Sequence, residues 1–192
     1  MDEVNPADVE RVVSALANGE AVVIPTDTVY GIGADPRNAE AMGQLFALKE
    51  RPEGVPIAVL VASVEQAREL ISWTEQLTAL ADQHWPGALT LVGHAAVDGM
   101  HLGSIDTIGV RVPDHPLVRA CAERFGPIAT TSANRHGEPT IVDPEVLHHV
   151  FGGQVPVIVD GGRLEGTAST VVDTTVTPLS VLRQGTVQLD AS

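Results

Sequence analysis

Lys49 is the only lysine among 192 residues; the other ten basic side chains are arginines. It lies in "FALKERPEGVP", two residues before Arg51 and just ahead of a proline-rich turn. A lysine ammonium is a mobile point charge suited to phosphate. An arginine guanidinium is a planar fork suited to phosphate or carboxylate. Together they point to an anionic ligand. Spacing alone fits a plainer reading equally well, a lysine at a helix C-terminus answering the helix dipole. Usage favours function: a chain that chooses arginine elsewhere keeps one lysine here.

Three further polar stretches carry neutral donors and glycines. They are "PTDTVYGIGAD" with Thr26, Asp27, Thr28 and Tyr30, "TSANRHGEPT" with Ser132 and Asn134, and "DGGRLEGTAST" with Ser169. Each follows a strand-like run, and glycine lets backbone approach a ligand closely. Open α/β sheets bind ligands outside the carboxyl ends of their strands, so loops sharing that edge would converge on one pocket. Other templates fail. No G-x-x-x-x-G-K-[ST], G-x-S-x-G or H-E-x-x-H occurs, and "GIGADP" lacks the last glycine of the dinucleotide fingerprint. His148 and His149 are adjacent on a helix and diverge by about 100°, a poor chelating pair, so no metal ligand is assigned.

The elements that must position these residues can be read from periodicity and punctuation. Asn5-Pro6 starts a helix that Gly19 stops, with Val9, Val12, Val13 and Leu16 on one face. A second helix begins at Asn38 and ends near Lys49, because Pro52 disfavours helix at Arg51. Ser63 and Gln66 predict a capping box, Glu75 to His84 a further helix, "LVRACAERF" another, and Asp143-Pro144 the start of one ended by Gly152-Gly153. "AVVIP", "IAVLVA", "ALTLVG", "TIGVRV", "PIATT", "VPVIVD", "STVVD" and "LSVLR" read as strands, and "TDTVYGIGADP" as loop. The predicted fold class is α/β: a twisted, mixed, open sheet with helices packed on it. No repeat or linker interrupts it, so residues 1–192 are expected to form one domain.

Composition narrows the function classes. With 44% hydrophobic residues and only 3% aromatic, the core must be built from Val, Leu, Ile and Ala. A net charge of -14 repels phosphate backbones and anionic lipids, which disfavours tRNA or double-stranded RNA binding by the surface as a whole and leaves a local basic pocket open. Cys121 is the one cysteine, read as a small buried core residue, and it excludes a disulfide framework. The longest apolar run, "IAVLVA", is too short to span a bilayer, and the expected location is cytoplasmic.

Seven blocks in order then resemble the YrdC/Sua5 family, the L-threonylcarbamoyladenylate synthases. They are "IPTDTVYGIGADP", "LFALKERPEGVPIAVLVAS", "HWPGALTLV", "GVRVPDHP", "ATTSANRHGEPT", "DGGRLEGTASTVVD" and "VLRQGTV", spanning about residues 20 to 187. The resemblance is to the short, single-domain type and implies the YrdC-like fold. The implied reaction joins L-threonine, bicarbonate or CO2 and ATP into threonylcarbamoyl-AMP and pyrophosphate, with Mg2+ bridging the phosphates. The product would pass to a tRNA-threonylcarbamoyl transferase complex that modifies adenosine 37. The family's Lys-x-Arg and Ser-x-Asn signature appears as Lys49, Arg51, Ser132 and Asn134, the implied catalytic residues. The resemblance puts Thr107, Thr140 and Arg183 with them on the nucleotide side. It puts Thr28, Tyr30, Arg111, Thr131 and Ser169 on the threonine side, Arg111 pairing the carboxylate. Asp27 reads as loop structure. Two positions depart from the pattern: Val55, where Asn or Lys is frequent, and Leu60, where longer members carry a histidine that contacts threonine. The rival readings are a double-stranded RNA-binding or ribosome-maturation factor, a carbamoyl-AMP-forming module of hydrogenase maturation, and a paralogue without threonine activity.

Overall fold

The computed structural model describes residues 4–50, 55–104 and 106–189. The elements in chain order are α1 (Pro6–Ala17), β1 (Val22–Ile24), β2 (Gly31–Ala34), α2 (Ala39–Lys49), β3 (Ala58–Leu60), α3 (Val64–Leu70), α4 (Glu75–His84), β4 (Leu89–His94), β5 (Thr107–Arg111), α5 (Pro116–Phe125), β6 (Ile128–Ser132), α6 (Pro144–Phe151), β7 (Val157–Ile158), β8 (Thr170–Asp173) and β9 (Ser180–Arg183). The strands form one sheet in the order β7-β1-β2-β6-β3-β5-β4-β8-β9. Pairing is mixed: β1–β7, β3–β5 and β4–β8 run parallel, the others antiparallel. The predicted α/β fold with a mixed sheet is the observed one.

Helix starts follow the capping residues. The side chains of Asn5, Asn38, Thr74 and Asp143 each accept a backbone N–H of the first turn that follows. At α3 the Ser63 hydroxyl accepts from Gln66 N, but the returning Gln66 carbonyl takes the N–H of Ala62 rather than that of Ser63, a capping box shifted by one residue. α2 stops at Lys49 because Glu50 turns left-handed, at φ 50°. That conformation costs a non-glycine residue about 1 kcal/mol. Here it is held by an ion pair from Glu50 to Arg135 and by His136 N donating to the Lys49 carbonyl.

One element escapes the sequence reading. "GIGA", taken as loop, is strand β2, paired with both β1 and β6. Its glycines lower strand propensity but are required by packing: a Cβ at Gly31 would stand 2.5 Å from Thr130 Cγ2.

The two faces of the sheet are covered unequally. One face packs Val23, Ile32, Val59, Leu89, Leu91, Val110 and Ala129 against residues of α2, α3, α4 and α6. On the other, α1 and α5 bury Val22, Ile24, Leu60 and Ile128, with Cys121 fully buried among them as expected and its thiol pushed up to about 12 by desolvation. Each fully buried Val, Leu or Ile contributes about 1.5–3 kcal/mol, so these clusters fix which face each strand turns inward. α1 and α5 leave the β3-β5-β4-β8 part of their face open, and that gap is the site.

Candidate active site

A cavity of about 540 Å³ opens over this uncovered surface, within the size range of small-molecule sites. Its floor follows from strand alternation. Along β5, Ile108 and Val110 enter the core while Thr107, Gly109 and Arg111 line the cavity; along β4, Leu89 and Leu91 go in while Thr90 and Val92 face out. Val171 and Asp173 continue the floor on β8, and Ala58, Leu60, Thr130 and Ser132 on β3 and β6. The register sets Val92 opposite Gly109 and Ala58 opposite Thr130, so the smallest residues lie at the centre of one row. The loops supply the walls: Thr26, Thr28 and Val29 after β1, Val55 and Pro56 before β3, and Ala168 and Ser169 before β8. The polar stretches do converge, but on the face of the sheet rather than beyond its carboxyl edge alone.

At the β6 end three of the four signature residues meet. Lys49 is 2% exposed, not a mobile surface charge. Its ammonium donates to the Ser132 carbonyl at 2.7 Å, to Asn134 Oδ1 at 2.8 Å and to Ser132 Oγ at 3.4 Å. Asn134 Oδ1 also accepts from Ser132 Oγ at 2.6 Å, while Asn134 Nδ2 donates to the Arg135 and Glu138 carbonyls. Both donors of that amide are therefore spent on shaping the 134–138 turn. Ser132 lines the cavity, with Lys49 and Asn134 behind it. Arg51, the fourth member, lies outside the described residues.

On the β5 side Arg111 is 5% exposed and held three ways. Nε donates to the Gly87 carbonyl at 2.9 Å, Nη1 to Thr28 Oγ1 at 3.0 Å and Nη2 to Asp27 Oδ1 at 2.6 Å. Asp27 is thus the partly buried counter-ion of Arg111 and more than a loop residue. Thr26 Oγ1 organises the same loop, accepting from the N–H groups of Thr28 and Val29 and donating to the Val29 carbonyl.

At the β8–β9 edge Arg183 donates from Nε to the Ser169 carbonyl and from Nη2 to Ser169 Oγ, both at 3.0 Å. Ser169 Oγ is also 2.8 Å from Thr90 Oγ1. The expected nucleotide-side arginine and threonine-side serine are therefore in contact. Thr107 and Thr131 line the cavity as well. Besides Lys49 and Asn134, two further expected residues do not. Tyr30 is fully buried; its hydroxyl donates to the Gly162 carbonyl and accepts from Gly161 N, and burial pushes its phenol up. It anchors the 160–162 turn. Thr140 is half-buried in the loop after β6 and does not line the cavity.

Residues the sequence reading passed over are Thr90, Val92, Gly109, Val171 and Asp173. For Thr90 and Gly109 a signal was there: alternation in "LTL" and "TIGVR" marks every second residue as facing away from the core. Val55 and Leu60, the two departures from the pattern, both border the cavity. Among the described residues no three His, Cys, Asp or Glu side chains gather into a metal-binding group, and no helix is long and apolar enough to cross a membrane.

The chain is similar to several known proteins. The family model Sua5_yciO_yrdC, described as "Telomere recombination", matches residues 14–185. Over 185 residues the chain is 36% identical to the threonylcarbamoyl-AMP synthase of Vibrio cholerae, covering 93% of this chain and 97% of that one. It is 35% identical to the threonylcarbamoyl-AMP synthase of Bacillus subtilis over 174 residues, 88% of this chain and only 50% of that one. The chain thus spans nearly all of one relative and about half of the other. The crystal structure of P. abyssi Sua5 complexed with L-threonine superposes with a TM-score of 0.90 at 33% identity, over 96% of this chain and 56% of that one. With the fold, the cavity and the match over most of its length in agreement, the chain belongs to the Sua5/YciO/YrdC family.

Proposed function

We propose that this protein is an L-threonylcarbamoyladenylate synthase. The observation that carries the reading is a single cavity bordered by Arg111 with Thr28 on one side and by Ser132, backed by Lys49, on another. The first arrangement suits an amino-acid carboxylate, the second an anionic oxygen. The names of the V. cholerae and B. subtilis relatives and the P. abyssi complex with L-threonine support the same substrates.

In the proposed reaction the threonine amine takes up CO2, supplied by bicarbonate, and loses a proton. A carbamate oxygen then attacks the α-phosphorus of ATP, the bond to the β-phosphate oxygen breaks, and pyrophosphate leaves. The carbamate is a weak nucleophile, so the protein's part is positioning and charge stabilisation. Arg111 pairs the amino-acid carboxylate, with Thr28, Thr131 and Ser169 around the rest of the substrate. Lys49 and Ser132 offset charge on the phosphates. Of the three Lys49 contacts above, the 3.4 Å one to Ser132 Oγ is the longest and the one a phosphate oxygen would replace. Arg51 and Thr140 are assigned to the nucleotide with Thr107 and Arg183. Asn134 acts by fixing Lys49 and Ser132. Magnesium enters with the triphosphate as part of the substrate. We assign the activity to one domain in the cytoplasm, where the product passes to a tRNA-threonylcarbamoyl transferase complex.

The test is pyrophosphate release from ATP, with bicarbonate and magnesium, across all twenty amino acids. Release with threonine alone is expected. No release with any amino acid, from protein that still binds ATP, would overturn the reading.

A further inference from the structure

We propose that Asp27 is a positioning residue for amino-acid recognition, acting from behind the cavity by fixing the guanidinium of Arg111. The proposal rests on the reading of the Arg111 side as the amino-acid end, and adds to it a residue that never touches the substrate.

Four observations lead to it. The Asp27–Arg111 pair is short, at 2.6 Å, and both side chains are shielded, at 13% and 6% exposure. Arg111 lines the cavity and Asp27 does not, although its neighbours Thr26 and Thr28 do. Among the described residues, Arg111 is the one cation paired with Asp27. Finally, the three contacts of Arg111 take one hydrogen each from Nε, Nη1 and Nη2. A guanidinium has five N–H donors, so one hydrogen on each terminal nitrogen is left.

The consequences are chemical. A planar fork recognises a carboxylate only in one plane and at one angle. Gly87 and Thr28 alone would leave Arg111 a charged group held by neutral acceptors, and a bound carboxylate would compete to pull it round. A fixed carboxylate behind the guanidinium settles its plane before substrate arrives. It also lowers the net positive charge of the site. The pair therefore favours a ligand that matches the two remaining donors over any anion that merely seeks charge. His115 also faces Asp27, but burial holds its imidazole below the ordinary value, which leaves the anionic charge of Asp27 to Arg111.

The experiment compares the intact chain with Asp27→Asn, Asp27→Glu, Arg111→Gln and the double variant Asp27→Asn/Arg111→Gln. KM for L-threonine and KM for ATP are measured by pyrophosphate release, the dissociation constant of L-threonine by calorimetry, and folding by thermal melting. Asp27→Asn is isosteric and is expected to raise KM and the dissociation constant for threonine about tenfold, within the coupling seen for contacting pairs, while KM for ATP stays within about twofold. Asp27→Glu keeps the charge and recovers part of the loss. The double variant binds threonine no worse than Arg111→Gln alone, because Asp27 acts through Arg111. Equal rises in both KM values, or additive losses in the double variant, would make Asp27 a general structural residue and overturn the proposal. If Asp27→Asn fails to fold, Asp27→Glu and the double variant, which removes both charges together, carry the same comparison. Failure of the underlying reading looks different: the unaltered chain would bind ATP and no amino acid, and the role of Asp27 would fall with it. Threonine-dependent turnover in the unaltered chain, with threonine binding untouched in Asp27→Asn, defeats the positioning role alone.

Discussion

The two ends of the cavity are built on opposite plans. At the β6 end Lys49, from the end of α2, and Ser132 and Asn134, at and just beyond the end of an interior strand, form a closed, largely buried network. At the other end Arg183 projects from β9, an edge strand whose four residues are all exposed, and Leu182 beside it is 58% exposed while still bordering the cavity. A network whose members satisfy one another in a low-dielectric site holds its geometry before a ligand arrives. An exposed edge has few buried contacts to resist local opening. The contrast suggests a division of labour, with reacting groups positioned at the rigid end and the ligand accommodated at the loose end.

The sharpest way to break this contrast is Lys49→Ala. The change removes a buried ammonium and leaves the Ser132 carbonyl without that donor. Hydrogen bonds to charged groups are worth about 1.5–3 kcal/mol each, so a stability loss of about 3 kcal/mol by urea denaturation is expected. Pyrophosphate release should drop about 100-fold or more, as when a charge-stabilising donor is removed. Lys49→Arg should fall between, since a planar fork does not reproduce a compact ammonium in a site this enclosed. A stable, fully active Lys49→Ala protein would show that the rigid end is scaffold only.

Gly109→Leu separates rigidity from occupancy. A Cβ at Gly109 meets Thr90, Ala58 and Val92 at ordinary distances of 3.4–3.6 Å. The added side chain therefore rises into the cavity without displacing the floor. Stability should change by less than about 1 kcal/mol, as for a strand surface position. KM for ATP or threonine should rise at least about tenfold, equivalent to about 1.4 kcal/mol of lost binding. Gly109→Ala should do much less. If the leucine variant bound both ligands normally, the row through Gly109 would not be where they lie.

Much of this site was legible before any coordinates. Lys49, Ser132 and Asn134 stand out in the sequence by type and spacing, and the structure brings the three into contact with Lys49 at 2% exposure. Helix boundaries were legible because Asn5, Asn38 and Asp143 announce themselves as caps. β2 was not, since its glycines read as loop and only the close approach of Thr130 to Gly31 and of Ile128 to Gly33 explains them. The pairing of Asp27 with Arg111 was invisible, because it joins positions 84 residues apart and nothing local marks the aspartate. The place of Tyr30 away from the cavity was hidden for the converse reason: its polar tip serves a turn 132 residues away, and nothing local connects the two.

At the loose end, Arg183→Ala should produce a smaller and cleaner effect. The strand that carries it is an exposed edge. Stability should stay within about 0.5 kcal/mol, the usual range for surface substitutions. KM for ATP should rise several-fold with kcat less affected, as expected when uniform binding is lost. A fall in kcat as large as that of Lys49→Ala would erase the division of labour.

The smallest effect concerns His115, which is only partly buried and, unlike Lys49, leaves a buried ring nitrogen unsatisfied. His115 Nδ1 is buried and finds no hydrogen-bond partner among the described residues. Desolvation lowers its pKa, and Arg119 lowers it further, against the opposing pull of Asp27 and Asp114. The folded protein therefore keeps His115 neutral at pH values where the unfolded chain protonates it. Its contribution to stability is fully present above about pH 6.5, the ordinary imidazole value. It is lost as the pH falls below that point and through the depressed folded value, because the unfolded state then binds more protons. His115→Asn removes that slope, so its urea midpoint should decline less than that of the unaltered chain between about pH 7 and pH 5. Parallel declines would mean that His115 is protonated in the fold after all. The unsatisfied nitrogen would then have a partner, and the contrast with Lys49 would be one of degree.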